Sequence, residues 1–223
     1  MSWDPVWERI FRSREWGKYP PERAVRFVAS NFYQAPDRSA VRLLDLGCGT
    51  GACTWYMARE GFSVSAIDGS ATGVEQTRKR LIHEGLTADC QVGDFKHLPW
   101  KSASFDGALD NAAIYANPYS ECRLAVQEVR RVLKPGGVFL SSNFTPQTWG
   151  YGLGEEVEPG GFVSISEGPL KDRGFVLFMT RSQIEHLYEG FDDITIDTEA
   201  MTIGGSKHTV ELWVVTCRVG KGA

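Results

Sequence analysis

The sequence predicts an α/β fold: a mostly parallel sheet, built by alternating strands and helices, with helices on both faces. Three observations carry this. The apolar run Val41–Leu46 ends in the glycine-spaced turn Gly47-Cys48-Gly49-Thr50-Gly51, and a helical pattern through Thr54, Trp55, Met57 and Ala58 follows it. Strand signals then alternate with helical ones at Phe62–Ile67, Asp89–Val92, Phe105–Leu109 and Val138–Ser142. Last, Ile194–Thr198 and Thr209–Thr216 flank the turn Gly204-Gly205-Ser206, too short a connection for anything but an antiparallel pair.

Each element has its own signal. Asp4 and Pro5 start an N-terminal helix whose Trp3, Val6, Trp7, Ile10 and Phe11 follow the i, i+3, i+4, i+7 stripe. That stripe suits either plain packing or a lid over a ligand. Pro21 opens a second helix through about Phe32, with Ala24, Val25, Val28 and Phe32 on one face. Ser70 caps a helix with Val74, Leu81 and Ile82 inward. Asn117 and Pro118 start another, with Leu124, Val126, Val129, Val132 and Leu133 toward the core. Residues 144–178 are rich in glycine and aromatics and read as an insertion with short strands of its own or a flap. Thr180-x-x-Gln183 is a capping box for a helix that Gly190 ends.

Length and composition set limits. A chain of 223 residues suits one domain, 1–223, with residues 1–35 as a helical lid or extension and 144–178 as an insertion beside the ligand. A formal charge of −4 argues against a protein whose affinity comes from many phosphate contacts. No nucleic acid and no membrane partner is expected; the densest basic run, Arg78-Lys79-Arg80, reads as a solvated helix face. The five cysteines form no C-x-x-C pair, so no zinc site is expected, and they read as the reduced thiols of a cytoplasmic protein. Cys48, inside the glycine turn, reads as a small apolar filler.

The ligand follows from where the acids fall. Glycine lacks a Cβ, so the turn can take positive φ and a ligand can lie against bare backbone. Gly47-x-Gly49-x-x-Ala52 also fits the dinucleotide pattern, so the turn alone does not choose between nucleotides. Asp45 does: a carboxylate two residues before Gly47 accepts from an amino group above the turn and repels a pyrophosphate. Asp68, ending the second strand just before Gly69, is placed to hold both hydroxyls of a ribose. Asp94 and Phe95, in Gly93-Asp94-Phe95, suit an adenine, one accepting from its amino group and the other packing on its ring.

With these motifs the chain resembles the class I S-adenosylmethionine-dependent methyltransferases. Leu43–Gly51, Asp68, Gly93-Asp94-Phe95, Phe105–Asp110 and Arg131–Gly137 match that family in order and spacing, over about residues 40–143. The resemblance implies a Rossmann-like sheet of seven strands with the last antiparallel. It implies S-adenosylmethionine as cofactor and S-adenosylhomocysteine as product; the negative charge and the expected aromatic lid favour a small or medium-sized organic acceptor, methylated on an oxygen, nitrogen or carbon, over a protein side chain or RNA. Carried over, Asp45, Gly47, Cys48, Gly49 and Gly51 line the methionine part and Asp68 and Gly69 the ribose. Asp94 and Phe95 take the adenine, and Asp110 and Asn111 face the methyl group and the acceptor. Asp110 equally suits a turn acid.

A methyl sulfonium needs alignment and exclusion of water more than a strong base. Candidates for contact with the acceptor or for a base are Asp110, Tyr115 and His208, with Tyr19 able to reach cofactor or acceptor. Trp149 and Tyr151 suit an aromatic wall. Asp110-Asn111-Ala112-Ala113 departs from the Asn/Asp-Pro-Pro-Tyr of the adenine- and glutamine-amide enzymes. Two other readings compete: a cofactor-binding protein without turnover, and a nicotinamide-dependent oxidoreductase, for which no Tyr–Lys or His hydride site is evident.

Overall fold

In a computed structural model, which describes residues 3–14 and 16–221, the central sheet has seven strands. Five form its parallel part: β1 (Arg42–Leu46), β2 (Ser63–Asp68), β3 (Asp89–Val92), β4 (Phe105–Asp110) and β5 (Leu133–Phe144). Chain order continues through a small separate sheet of β6 (Glu155–Glu158), β7 (Gly161–Val163) and β8 (Val176–Leu177), then β9 (Asp192–Ile203) and β10 (His208–Arg218). The spatial order is β3-β2-β1-β4-β5-β10-β9, and β10, antiparallel to both neighbours, is inserted between β5 and β9. The seven-stranded sheet with its antiparallel last strand is therefore as expected, and the insertion does fold into short strands.

Among the described residues six α-helices accompany it: α1 (Val6–Ser13), α2 (Glu22–Phe32), α3 (Ala52–Arg59), α4 (Ala71–His83), α5 (Tyr119–Val132) and α6 (Arg181–Tyr188). The strands' period of two sorts their side chains between two cores. Leu43, Leu109, Val138 and Leu140 join α2, α3 and α4. Leu44, Leu46, Ala108 and Phe139 join α5 and α6 on the other face. The caps form as expected: Ser70 Oγ accepts from Gly73 N–H at 3.0 Å, and the Thr180–Gln183 box closes reciprocally.

Some expectations fail. Ile82 is 76% and Leu124 44% exposed. Thr77 and Leu81 fill the inward stripe of α4, and Cys122, Ala125 and Val126 that of α5, so the neighbouring large residues rotate into solvent. β5 starts five residues early because Leu133 already pairs with Phe105, and a register shift before the Gly107–Val138 pair absorbs the Lys-Pro-Gly-Gly turn. The closing hairpin is longer at both ends, and nearly all of β9 is exposed.

Candidate active site

At the carboxyl end of β1 the backbone turns sharply. Gly47 and Cys48 N–H both bond the Ile67 carbonyl, at 2.8 and 3.1 Å, tying the turn to β2. Gly47 sits at φ +66°, and a Cβ there would lie 2.2 Å from that of Ala113. Gly51, at φ +83°, heads α3 with Thr77 where its Cβ would be, 2.6 Å away. Gly47 thus keeps backbone bare toward the site, while Gly51 serves the packing of α3 on α4 and does not line the cavity.

A cavity of about 420 Å³ opens above this turn. Its lining includes Asp45, Gly47, Cys48, Gly49, Asp68 and Phe95 around the turn, together with Trp7, Asn111, Tyr115, Asn117, Phe144 and Arg173. Gly69 and Tyr19 also border it. Trp3 covers Gly69, its ring 2.5 Å from a Cβ built there, and Phe11 covers Gly49. The N-terminal stripe therefore closes over the glycine turn. Glu8 fastens it: its carboxylate accepts from Ser70 Oγ and Thr72 Oγ1, each at 2.5 Å, and from Thr72 N–H at 3.2 Å. Burial opposes ionisation of Glu8, but these bonds outweigh it and bring the carboxyl down to about 2. Met1, Ser2 and Glu15, part of the expected lid, lie outside the described residues.

The carboxyls differ in what surrounds them. Asp45 is 2% exposed and accepts from Thr54 Oγ1 at 2.5 Å. Burial pushes it up to about 7, with the charges of Asp68 and Asp110 adding to the rise. Asp68 accepts from Gly49 and Ser70 N–H, both at 2.8 Å, and burial raises it to about 6. Each carboxylate oxygen has a second lone pair, so Asp68 can still accept from two hydroxyls. The cofactor that the resemblance implies fits here: bare glycine backbone for its close approach, two carboxyls toward its cationic part and its ribose, and the Phe95 ring for its base.

Asp110 is not at the acceptor. It shares strand parity with Ala108, so its side chain enters the α5–α6 face, where Ala113 and Ile114 N–H and Ser141 Oγ donate to it at 2.8, 3.2 and 2.5 Å. It is the turn acid, raised by burial to about 6, and does not border the cavity. Asn111, one residue on, does, and accepts from Arg23 Nη2 at 2.6 Å. Asp94 turns away as well: it accepts from Lys96 N–H at 2.9 Å, leaving Phe95 alone at the cavity wall.

His208 lies outside the cavity, stacked on Trp149 with ring centroids 3.7 Å apart, because β10 overshoots the end of β5. Tyr151 packs on Phe162 and Phe178, so the expected Trp149–Tyr151 wall does not face the site. Tyr115 does: it is fully buried, edge-on to Phe144 at 4.7 Å. Burial raises its phenol and the Arg173 guanidinium opposes the rise. Sequence reasoning missed Arg23 and Arg173, the two cations of the cavity wall. Arg23 carried a signal, lying in the first turn of a helix expected as part of the N-terminal extension, whereas Arg173 sits in an aperiodic segment.

Among the described residues there is no group of three or more side chains suited to a metal, and no helix is long and apolar enough to cross a membrane. All five cysteines are buried free thiols, Cys48 raised well above its ordinary range by burial.

Comparison with known proteins agrees with this geometry. Residues 43–137, from β1 to the start of β5, match the family described as methyltransferase domain. The uncharacterized methyltransferase YodH of Bacillus subtilis is 33% identical over 98 residues, covering 44% of this chain and 41% of that protein. The malonyl-[acyl-carrier protein] O-methyltransferase of Erwinia pyrifoliae is 40% identical over 111 residues, covering 48% of this chain and 38% of that protein. Both alignments thus span well under half of the relative's own length. Among solved structures, a SAM-dependent methyltransferase from Methanosarcina mazei superposes with a TM-score of 0.70 over 87% of this chain and 98% of its own. At 22% identity that likeness is one of fold. The glycine turn, the two cavity acids and strands β1 to β4 all lie in the matched segment, so residues 43–137 are similar to the methyltransferase domain family, and the chain as a whole has the fold of a SAM-dependent methyltransferase.

Proposed function

We propose that this chain transfers a methyl group from S-adenosylmethionine to a small or medium-sized organic acceptor. The observation that carries the reading is a single cavity that brings acids and bare glycine backbone together with aromatic rings, in an enclosure of a size suited to small ligands. When bound, the cofactor supplies a methyl group already activated by a sulfonium. The chain's own residues have three tasks. Asp45 and Asp68 hold the cationic and ribose parts against the glycine turn. Trp3, Trp7 and Phe11 of the N-terminal segment cover the seat and exclude water. Tyr115, kept a neutral phenol by burial, donates toward an acceptor oxygen or nitrogen and fixes its approach.

Neither Asp110 nor His208 reaches the cavity, so the reading needs no strong base from the chain. It suits acceptors that arrive ionised or as free nucleophiles. Curated relatives are named for oxygen acceptors, as in a fatty-acid O-methyltransferase of Mycolicibacterium smegmatis, and for carbon, as in a 24-methylenesterol C-methyltransferase of rice. The net charge of −4 favours a free small molecule over a nucleic acid.

The test is calorimetric titration of the full chain with S-adenosylhomocysteine and, separately, NAD, followed by an acceptor screen read as S-adenosylhomocysteine formed. Saturable binding of the first ligand alone, with turnover on any acceptor, is expected. Binding of NAD alone, or of neither, overturns the reading, and cofactor binding with no turnover across a broad screen favours a cofactor sensor.

A further inference from the structure

Arg173 is a cation of the cavity wall that, among the described residues, keeps a buried donor without a partner. Arg23, the other guanidinium of the cavity wall, donates to Asn111, Ser142 and Glu199. Arg173 instead lies over the rings of Trp16 and Trp7, at 4.8 and 5.9 Å from their centroids. Stacking fixes the guanidinium plane but uses none of its in-plane N–H groups. Its Nε is buried and among the described residues has no hydrogen-bond partner. A buried donor without an acceptor is costly and rare, and at a cavity wall it marks where a ligand's acceptor atom belongs. The hydroxyl of Tyr115 accepts from the same guanidinium, which leaves Nε as the unsatisfied donor and the phenol proton free to be donated.

We propose that Arg173, with Tyr115, receives the carboxylate of the methyl acceptor, whose apolar part lies against Trp7, Trp16 and Phe144. This rests on the methyl-transfer reading and names its substrate class. Geometry favours a carboxylate over a phosphate monoester. A guanidinium fork matches a carboxylate with two parallel bonds. A phosphate monoester carries a charge of about −1.5 to −2 near neutral pH and calls for a second free cation. Arg23 is engaged by Glu199, and Asp4, also in the cavity wall, adds a negative charge, its two oxygens held by Val6 and Phe175 N–H. Set against Glu199 and Asp4, the two guanidiniums leave no surplus positive charge for a dianion, and a single carboxylate is the smaller load.

The experiment titrates 3-phenylpropionate, phenylacetate and octanoate, each beside its primary amide, and phenyl phosphate, into the full chain with and without S-adenosylhomocysteine. The acids are expected to bind about tenfold or more tighter than their amides, the loss of one charged hydrogen bond being at least that large. Arg173→Met is expected to bring each pair within about twofold while S-adenosylhomocysteine affinity stays the same. Arg173→Lys, which keeps the charge and the stem that packs on the indoles, is expected to retain part of the preference. Equal binding of acids and amides by the unaltered chain, no binding of any acid at millimolar concentration, tighter binding of phenyl phosphate than of the acids, or a preference that survives Arg173→Met overturns the proposal. If the acid preference holds while S-adenosylhomocysteine does not bind, methyl transfer fails and the carboxylate site stands. If the cofactor binds without the preference, only the carboxylate site fails.

Discussion

Asp45→Asn is expected to make the folded protein more stable at neutral pH and worse at holding its cofactor. The carboxyl is buried beneath the glycine turn and titrates at about 7 rather than at its ordinary 3.8. The sign follows from which state ionises first. Below about pH 4 both folded and unfolded chains carry the proton, and the site contributes nothing adverse. As pH rises, the unfolded chain ionises near 3.8 while the folded chain keeps its proton until about 7, so folding stability falls through that window. A separation of roughly three pH units corresponds to about 4 kcal/mol, an upper value because the folded site relaxes around the charge. Asparagine has nothing to titrate and can still accept from Thr54. Its advantage over the parent is expected to be near zero at about pH 4 and to grow to its full size by about pH 8. For a chain of this length that is a gap in Tm of up to about 8–16 °C. Thermal melts of both proteins from about pH 4 to 8, with S-adenosylhomocysteine titrations at the upper end, read both effects. Cofactor affinity is expected to fall about 10- to 100-fold, the loss of a charged hydrogen bond. A gap in Tm that does not change with pH, or an asparagine variant less stable than the parent at pH 8, refutes the reasoning.

Three further outcomes are expected. Asp68→Ala strips partners from the ribose and from the Gly49 and Ser70 N–H groups, so S-adenosylhomocysteine affinity is expected to drop about 100-fold by calorimetry, with about 1–3 kcal/mol of stability lost in urea melts. Glu8→Gln loosens the N-terminal cover. Because the Glu8 carboxyl is held down at about 2, its contribution is present above the ordinary value of 4.5 and disappears as pH falls through 2. At neutral pH the variant is expected to lose about 1 kcal/mol and to release S-adenosylhomocysteine several-fold faster in stopped-flow displacement; an unchanged release rate would make the segment packing alone. His208→Ala removes a ring stacked on Trp149 outside the cavity and is expected to leave kcat within about twofold at a cost of about 1 kcal/mol in stability.

The parallel core was legible because each strand carries a short-period signal and ends at a punctuating acid or glycine. Asp45 and Asp68 could be assigned in advance, since a strand's carboxyl end in such a sheet always opens on the crevice. Asp110 shows where that logic stops. It too ends a strand, but one face of β4 looks to the cavity and the other to α5 and α6, and Ser141, its register partner on β5, claims it. Which face a terminal residue takes depends on register, which local spacing does not carry. Arg173 was hidden by distance: Phe175 N–H bonds Asp4, 171 residues away in sequence, and that contact brings the segment onto the N-terminal helix. His208 was misplaced because the hairpin's length could not be read from its turn, and a few extra pairs carried it beyond the sheet.

The length of that hairpin bears on how molecules of this protein meet in solution. β9 offers twelve residues of backbone whose outer N–H and C=O groups face outward, three times the four-residue span of β3 at the opposite border. An open strand of that size is a template for another strand. Asp192, Asp193, Asp197 and Glu199 lie along it; Arg23 pairs with Glu199 and Arg218 with Asp193. A second copy approaching the same border would bring the same acids against these. The border is thereby closed by repulsion rather than by cover, a closure that weakens as salt rises, the condition under which self-association at this border would first show itself.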